Sequence, residues 1–260
     1  MLKGKCALVT GSMGGIGGAT ARKLASLGCN VMIHGLASAE DGNARRDEIA
    51  AEFGVKAAFS GADLSKLPEL DELVATTVRE LGPIDILVNN AVARGAGPID
   101  EISDEVWDLA LAVNLSAPFH LVRRTLPGMK KRGWGRIINL ASNWGLTGTR
   151  NRGDYVATKH GLVGLTRAIA LETLEHGVTC NAIAPGATLT PNAEKQLNKL
   201  MADSGKDRKT VEQEFFRARQ PSGRFVRPED VAELIAFLCS DAAREMTGTP
   251  ISIDGGWLAM

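Results

Sequence analysis

Several things are scarce in this chain of 260 residues, and each scarcity removes a class of function. Excess charge of one sign is absent: thirty basic and thirty acidic residues give a formal net charge of zero. The broad positive field that a nucleic-acid or anionic-membrane binder relies on is therefore missing. The short run Lys130-Lys131-Arg132 reads as a solvated helix end. Cysteine is sparse. Cys6, Cys29, Cys180 and Cys239 are widely scattered, with no CxxC pair and no Cys/His cluster, so free buried thiols are expected and a metal site is not. No stretch stays apolar for the roughly 18 residues of a membrane span. The opening MLKGKCALVTG also lacks the apolar core of a secretory signal. A soluble cytoplasmic protein without nucleic-acid or membrane partners is the expectation. Aromatic residues make up only 5 % of the chain, and Tyr155 is its single tyrosine.

What is present is apolar material, 44 % of the residues, arranged in a regular alternation. Short apolar runs at Cys6–Thr10, Asn30–His34, Lys56–Ser60, Asp85–Asn90, Arg136–Ser142, Val178–Ala184 and Pro250–Asp254 read as buried strands. Between them lie helical patterns at 19–27, 40–53, 66–81, 103–132, 155–175 and 228–240. The helix at 103–132 is expected to bend or divide near Pro118. Strand alternating with helix implies a parallel sheet covered by helices on both faces, an α/β doubly wound fold. With no linker, repeat or low-complexity segment, one domain accounts for residues 1–260. The polar, partly helical segment at 188–225 interrupts the rhythm after the sixth strand, where an insertion can become a lid over a site.

Two motifs carry chemistry. Gly11-x-x-x-Gly15-x-Gly17 follows the first strand and opens the first helix, the context in which glycines admit a pyrophosphate to a helix N-terminus. Further on, Lys159 lies four residues after Tyr155, about one helical turn, so phenol and ammonium share a face. A lysine cation beside a phenol favours the phenolate. Ser142, upstream, could hold a carbonyl oxygen while the tyrosine moves a proton on or off it.

TGSMGGIG at 10–17, NNA at 89–91, Asn114, Ser142, YVATK at 155–159, Pro185-Gly186 and Thr190 together resemble the short-chain dehydrogenase/reductase family, across essentially the whole chain. The resemblance implies a single-domain Rossmann fold, a nicotinamide cofactor, a small-molecule substrate and a homotetramer. It also implies roles. The turn residues Gly11, Ser12, Met13, Gly15, Ile16 and Gly17 would contact the cofactor. Asp63 and Leu64 would lie around its adenine, and Asn90 and Ala91 beside a ribose. Pro185, Gly186, Thr188 and Thr190 would border the nicotinamide. Lys159 would bind the nicotinamide ribose and acidify Tyr155, Ser142 would hold the substrate oxygen, and Asn114 would support a proton relay. Val92 departs from the family, which usually completes NNAG with glycine.

The end of the second strand, His34-Gly35-Leu36-Ala37, has no acid for a ribose hydroxyl and no base nearby for a 2′-phosphate. Absence of the base favours NAD over NADP. Within the family, GADLSK at 61–66, PIDILVNNA at 83–91, MKKRGWGRIIN at 129–139, EKQ at 194–196 and IDGGW at 253–257 resemble the bacterial D-3-hydroxybutyrate dehydrogenases. Where those enzymes place glutamine, histidine and lysine on the substrate carboxylate, this chain has Arg94, Trp144 and Arg152. Gln196 and Trp257 keep the pattern, and Ala187 stands in place of a tryptophan. Paired arginine donors can grip a carboxylate, phosphate or sulfonate. The expected substrate is thus an anionic hydroxy acid, either 3-hydroxybutyrate or a larger or doubly anionic analogue. The alternatives are an NADP-linked reductase of a ketone or sugar, and a catalytically silent dinucleotide sensor.

Overall fold

The structure, a computed structural model, describes residues 2–216 and 220–260. Seven strands form one sheet: β1 (Cys6–Val9), β2 (Asn30–His34), β3 (Ala57–Ser60), β4 (Ile84–Asn89), β5 (Gly135–Leu140), β6 (Val178–Pro185) and β7 (Pro250–Ile253). Their order is β3-β2-β1-β4-β5-β6-β7, and every neighbouring pair is parallel. The doubly wound fold is as expected from the sequence.

Successive residues of a strand point to opposite faces, and here both faces are apolar. Ala7, Val9, Ile86, Val88 and Ile138 pack beneath α1 (Gly15–Ser26) and α9 (Pro228–Cys239), against Leu24, Val231 and Ile235. Cys6, Leu8, Leu87 and Ile137 face α3 (Leu67–Leu81) and α5 (Ala117–Arg132), against Leu70, Leu73 and Leu121. This two-sided burial is why the strands read as unbroken apolar runs. All four cysteines are free and buried in these layers.

The strand order reverses between β1 and β4, whose carboxyl ends are in register at Val9 and Val88. That crevice is where open α/β sheets bind ligands. Around it stand α6 (Gly153–Leu171) and, inserted after β6, α7 (Pro191–Ser204) and α8 (Arg208–Phe216), with α2 (Ala39–Phe53) further along the edge. The expected bend near Pro118 is displaced. α4 (Asp104–Leu111) passes into a π-helical turn at Ala112–Ser116 before α5 begins, and Pro118 sits in the first turn of α5, where its missing N–H is harmless. Among the described residues, no helix is long and apolar enough to cross a membrane. No group of three His, Cys, Asp or Glu side chains among them could hold a metal ion.

Candidate active site

The glycine turn is built so that little besides glycine fits. Gly11 has φ +64°, and a Cβ there would lie 2.8 Å from Ala91 Cα. On Gly17 it would lie 2.3 Å from the Gly11 carbonyl oxygen. The Asn90 side-chain amide donates to the carbonyls of both Thr10 and Gly11, each at 2.9 Å, tying the turn to the end of β4. α1 has Gly14 at its N-cap, hence no side-chain cap, and no acid in its first turn. Its free N–H groups and positive dipole end thus face the crevice, which fits the pyrophosphate of a dinucleotide.

Behind the turn lies His34, only 2 % exposed at the end of β2. Its Nε2–H donates to the Ala62 carbonyl at 2.8 Å, which leaves Nδ1 as the acceptor for the Gly11 N–H at 3.1 Å. The ring is therefore neutral in this arrangement, and burial pulls its pKa below the usual histidine value. Ser12 is buried with its hydroxyl donating to Val9 and accepting from the His34 N–H, so its side chain braces strands rather than facing the crevice. Met13 lies over Gly35, where a Cβ would come within 2.7 Å of its Cγ. The next residue, Leu36, is 80 % exposed.

Ser142 lies two residues past the end of β5, 6 % exposed, with its hydroxyl donating to Asn143 Oδ1 at 3.0 Å and accepting from the Trp144 N–H at 3.2 Å. Tyr155 and Lys159 lie on one face of α6, with Lys159 Nζ 5.5 Å from the phenol ring centre. Lys159 is buried, and its ammonium donates to the Leu140 carbonyl at 2.6 Å. Burial, with a smaller contribution from the Arg94 charge, brings its pKa down to about 7. Asn114, in the π-helical turn, accepts from the Ala93 N–H at 2.8 Å and donates to the Ala93 carbonyl at 2.9 Å and to Thr158 at 3.2 Å.

Several of these groups open on one cleft of about 780 Å³, whose lining does not include Ser12, Met13, Gly17 or Asn114. Its lining includes Gly11, Gly15, Ile16, Asn90 and Ala91, with Pro185, Gly186, Thr188 and Thr190, and Ser142, Tyr155 and Lys159. Val92 also lines it, half exposed. Trp144 stands edge-on between Tyr155, 6.1 Å away, and Trp257, 6.0 Å away, making an aromatic wall. The Arg94 guanidinium lies 5.5 Å from the Tyr155 ring centre, and no acidic partner faces it among the described residues. Gln196 reaches the cleft from α7. Arg152 lines the cleft too, but its Nη1 donates to the Gly95 carbonyl at 2.5 Å. Asp63 lies outside the cleft lining and accepts from Ser65, while Leu64 is buried in the core.

A family model described as enoyl-(acyl carrier protein) reductase matches residues 11–258. D-beta-hydroxybutyrate dehydrogenase of Cupriavidus necator is 44 % identical over 260 residues, covering 100 % of both chains. The chain belongs to the short-chain dehydrogenase/reductase family. The enzyme of the same description from Rhizobium meliloti is 42 % identical over 98 % of this chain and 99 % of its own. Among solved structures, L-sorbose reductase from Gluconobacter frateurii, complexed with NADPH and L-sorbose, superposes with TM-score 0.94 at 31 % identity, covering 99 % of this chain and 98 % of that one. The protein is thus a short-chain oxidoreductase, similar over its whole length to D-beta-hydroxybutyrate dehydrogenases.

Several site residues of this family member escape a reading of motifs. Phe215 and Phe225 line the cleft from the inserted segment, their rings 5.6 Å apart. Gln220 is buried beneath them and accepts from the Ala187 N–H at 2.9 Å, fixing the stretch after Gly186. Nothing local marks a glutamine in a polar segment. The phenylalanines, in a chain with so few aromatics, were the available signal.

Proposed function

We propose that this oxidoreductase is an NAD-dependent dehydrogenase moving hydride between a nicotinamide and an anionic secondary hydroxy acid of the 3-hydroxybutyrate class, larger and doubly anionic analogues included. The observation that carries this reading is the unpaired Arg94 guanidinium at the rim of the cleft, 5.5 Å from the Tyr155 ring. Held there, it can take a carboxylate while the substrate hydroxyl reaches the phenol.

The bound dinucleotide supplies the hydride acceptor. Ser142 donates to the substrate oxygen, and Tyr155 takes the hydroxyl proton as the carbon is oxidised. Lys159, below the phenol, stabilises the phenolate in its cationic form. Trp144 and Trp257 exclude water from the apolar side of the substrate. NAD is favoured over NADP because Leu36 offers a 2′-phosphate nothing, and the first turn of α2 carries the acids Glu40 and Asp41. The similarity to a reductase holding NADPH and L-sorbose favours the second reading, an NADP-linked reductase of a ketone or sugar. Exposed Trp107, Leu109 and Phe119 on α4 and α5 support association into a homotetramer.

The test is a cofactor-fluorescence screen with NAD and NADP against mono- and dianionic hydroxy acids, sugars and neutral secondary alcohols. Preference for NAD with a hydroxy acid is expected. Preference for NADP with a neutral substrate overturns the reading, and cofactor binding without any turnover makes the protein a sensor.

A further inference from the structure

Arg94 is fixed from both sides. The Asn114 amide holds Ala93 at its N–H and its carbonyl, at 2.8 and 2.9 Å. Gly95 is likewise held at both groups: its N–H donates to Asp154 Oδ2 at 2.8 Å, and its carbonyl accepts from Arg152 Nη1 at 2.5 Å. Beyond it, the Gly97 N–H donates to the Asn151 carbonyl at 3.2 Å, and Gly97 pairs with Arg152 in a parallel bridge. Three side chains thus pin the peptide groups on either side of a single arginine. Such double fixing is what holds a binding group in one place before its ligand arrives.

The local backbone is shaped for this contact. Asn151, at φ 59°, is the one non-glycine residue with positive φ among the described residues, and it turns the chain so that Arg152 enters α6 facing Gly95. Position 95 has no room for a side chain, since a Cβ would lie 2.4 Å from Val106 Cγ1 and 3.0 Å from Asp154 Oδ2. Asp154 is 0 % exposed, and its Oδ1 has no hydrogen-bond partner among the described residues. A carboxyl group buried half-satisfied is costly for a fold. The one service its geometry shows is to Gly95.

We infer that Arg152 and Asp154 are positioning residues that set where the Arg94 guanidinium sits, and that Arg94 alone grips the anionic group of the substrate. The inference rests on the anionic-substrate reading proposed above. Two arginines on one anion was the sequence expectation; the two have different duties. The Arg152 guanidinium is committed to a backbone carbonyl, whereas Arg94 faces the cleft unpaired.

The test is a double-mutant cycle of Arg94→Gln and Arg152→Met, with kcat/KM measured for 3-hydroxybutyrate and for a neutral secondary alcohol. Arg94→Gln is expected to lower kcat/KM for the acid by about thirty-fold, mainly through KM, the scale of a lost hydrogen bond to a charged group. Arg152→Met should fall in the same direction, and the double variant should be no worse than Arg94→Gln alone. Asp154→Asn, whose amide oxygen still accepts from Gly95, should keep most of the preference that Asp154→Ala loses. Parental far-ultraviolet circular dichroism and NADH affinity in each variant separate misplacement from misfolding. Multiplying losses in the double variant would make Arg152 a second direct ligand and overturn the inference. If the parent shows no preference for the acid, the anionic-substrate reading is what falls. The clamp is then judged on the pH profile with the neutral alcohol. Loss of the Arg94 charge should raise the Lys159 pKa from about 7, Arg152→Met should raise it too, and the pair should add nothing further; independent shifts would refute the clamp.

Discussion

Replacing His34 by leucine tests whether the phosphate turn depends on one buried ring. The substitution keeps an apolar volume but removes the acceptor for the Gly11 N–H and the donor to the Ala62 carbonyl. Two partly buried backbone groups are left unpaired, each costing about 1–3 kcal/mol, so a loss of about 3 kcal/mol is expected. In a chain of this size that lowers Tm by about 6–12 °C. NADH affinity should fall as well, because Gly11 begins the turn. The pH dependence carries the sharper signature. The unfolded chain takes a proton on His34 near the ordinary histidine pKa of about 6.5, and the folded chain resists it because burial disfavours the cation. The parent therefore holds its full stability above that pH and loses it as pH falls below, at up to about 1.4 kcal/mol per unit until the folded-state pKa is reached. His34→Leu should lack this component. Thermal melts of both proteins from mildly alkaline to mildly acidic pH, with NADH titrations at the alkaline end, measure all three quantities. Parallel stability slopes, or an unchanged melt with unchanged NADH affinity, would refute the reasoning.

Other expectations follow from the same geometry. Tyr155→Phe should retain NADH binding while kcat falls by about a thousand-fold, within the range for a lost acid-base group; near-parental turnover would remove the proposed mechanism. Gly17→Ala should abolish cofactor binding measured by NADH fluorescence, since its methyl would lie 2.3 Å from the Gly11 carbonyl oxygen. Leu36→Arg should shift the ratio of NADPH to NADH affinity by ten-fold or more towards NADPH, because a guanidinium would meet a 2′-phosphate there. Lys159 is protonated in the unfolded chain up to its ordinary pKa of 10.5 but only to about 7 when folded. Parental stability should thus rise with pH between those values, and denaturation of Lys159→Met should show that slope removed.

Strand positions were legible because a parallel sheet buried on both faces needs consecutive apolar residues, as Ala7, Leu8 and Val9 show by packing to alternate sides. The glycine turn and the Tyr155–Lys159 pair were legible because their spacing is their mechanism. What escaped was long-range. The break before α5 belongs to Asn114, which leaves the helical rhythm in order to bind Ala93, and no local signal distinguishes it from a bend at Pro118. The guanidinium of Arg152 turns to a carbonyl 57 residues away, which its type and position leave open. Equally, the depressed pKa of Lys159 comes from burial by elements across the whole chain.

The edge-on contact between Tyr155 and Trp144, at 6.1 Å, has an optical consequence. The chain contains one tyrosine, so tyrosine absorbance in the near ultraviolet reports a single group, the one assigned the proton transfer. Its emission, next to an indole, passes to Trp144, and two of the four tryptophans, Trp144 and Trp257, border the cleft. The unlabelled protein thus carries its own absorbance probe of the proton-transfer group and its own emission probe of what enters beside it.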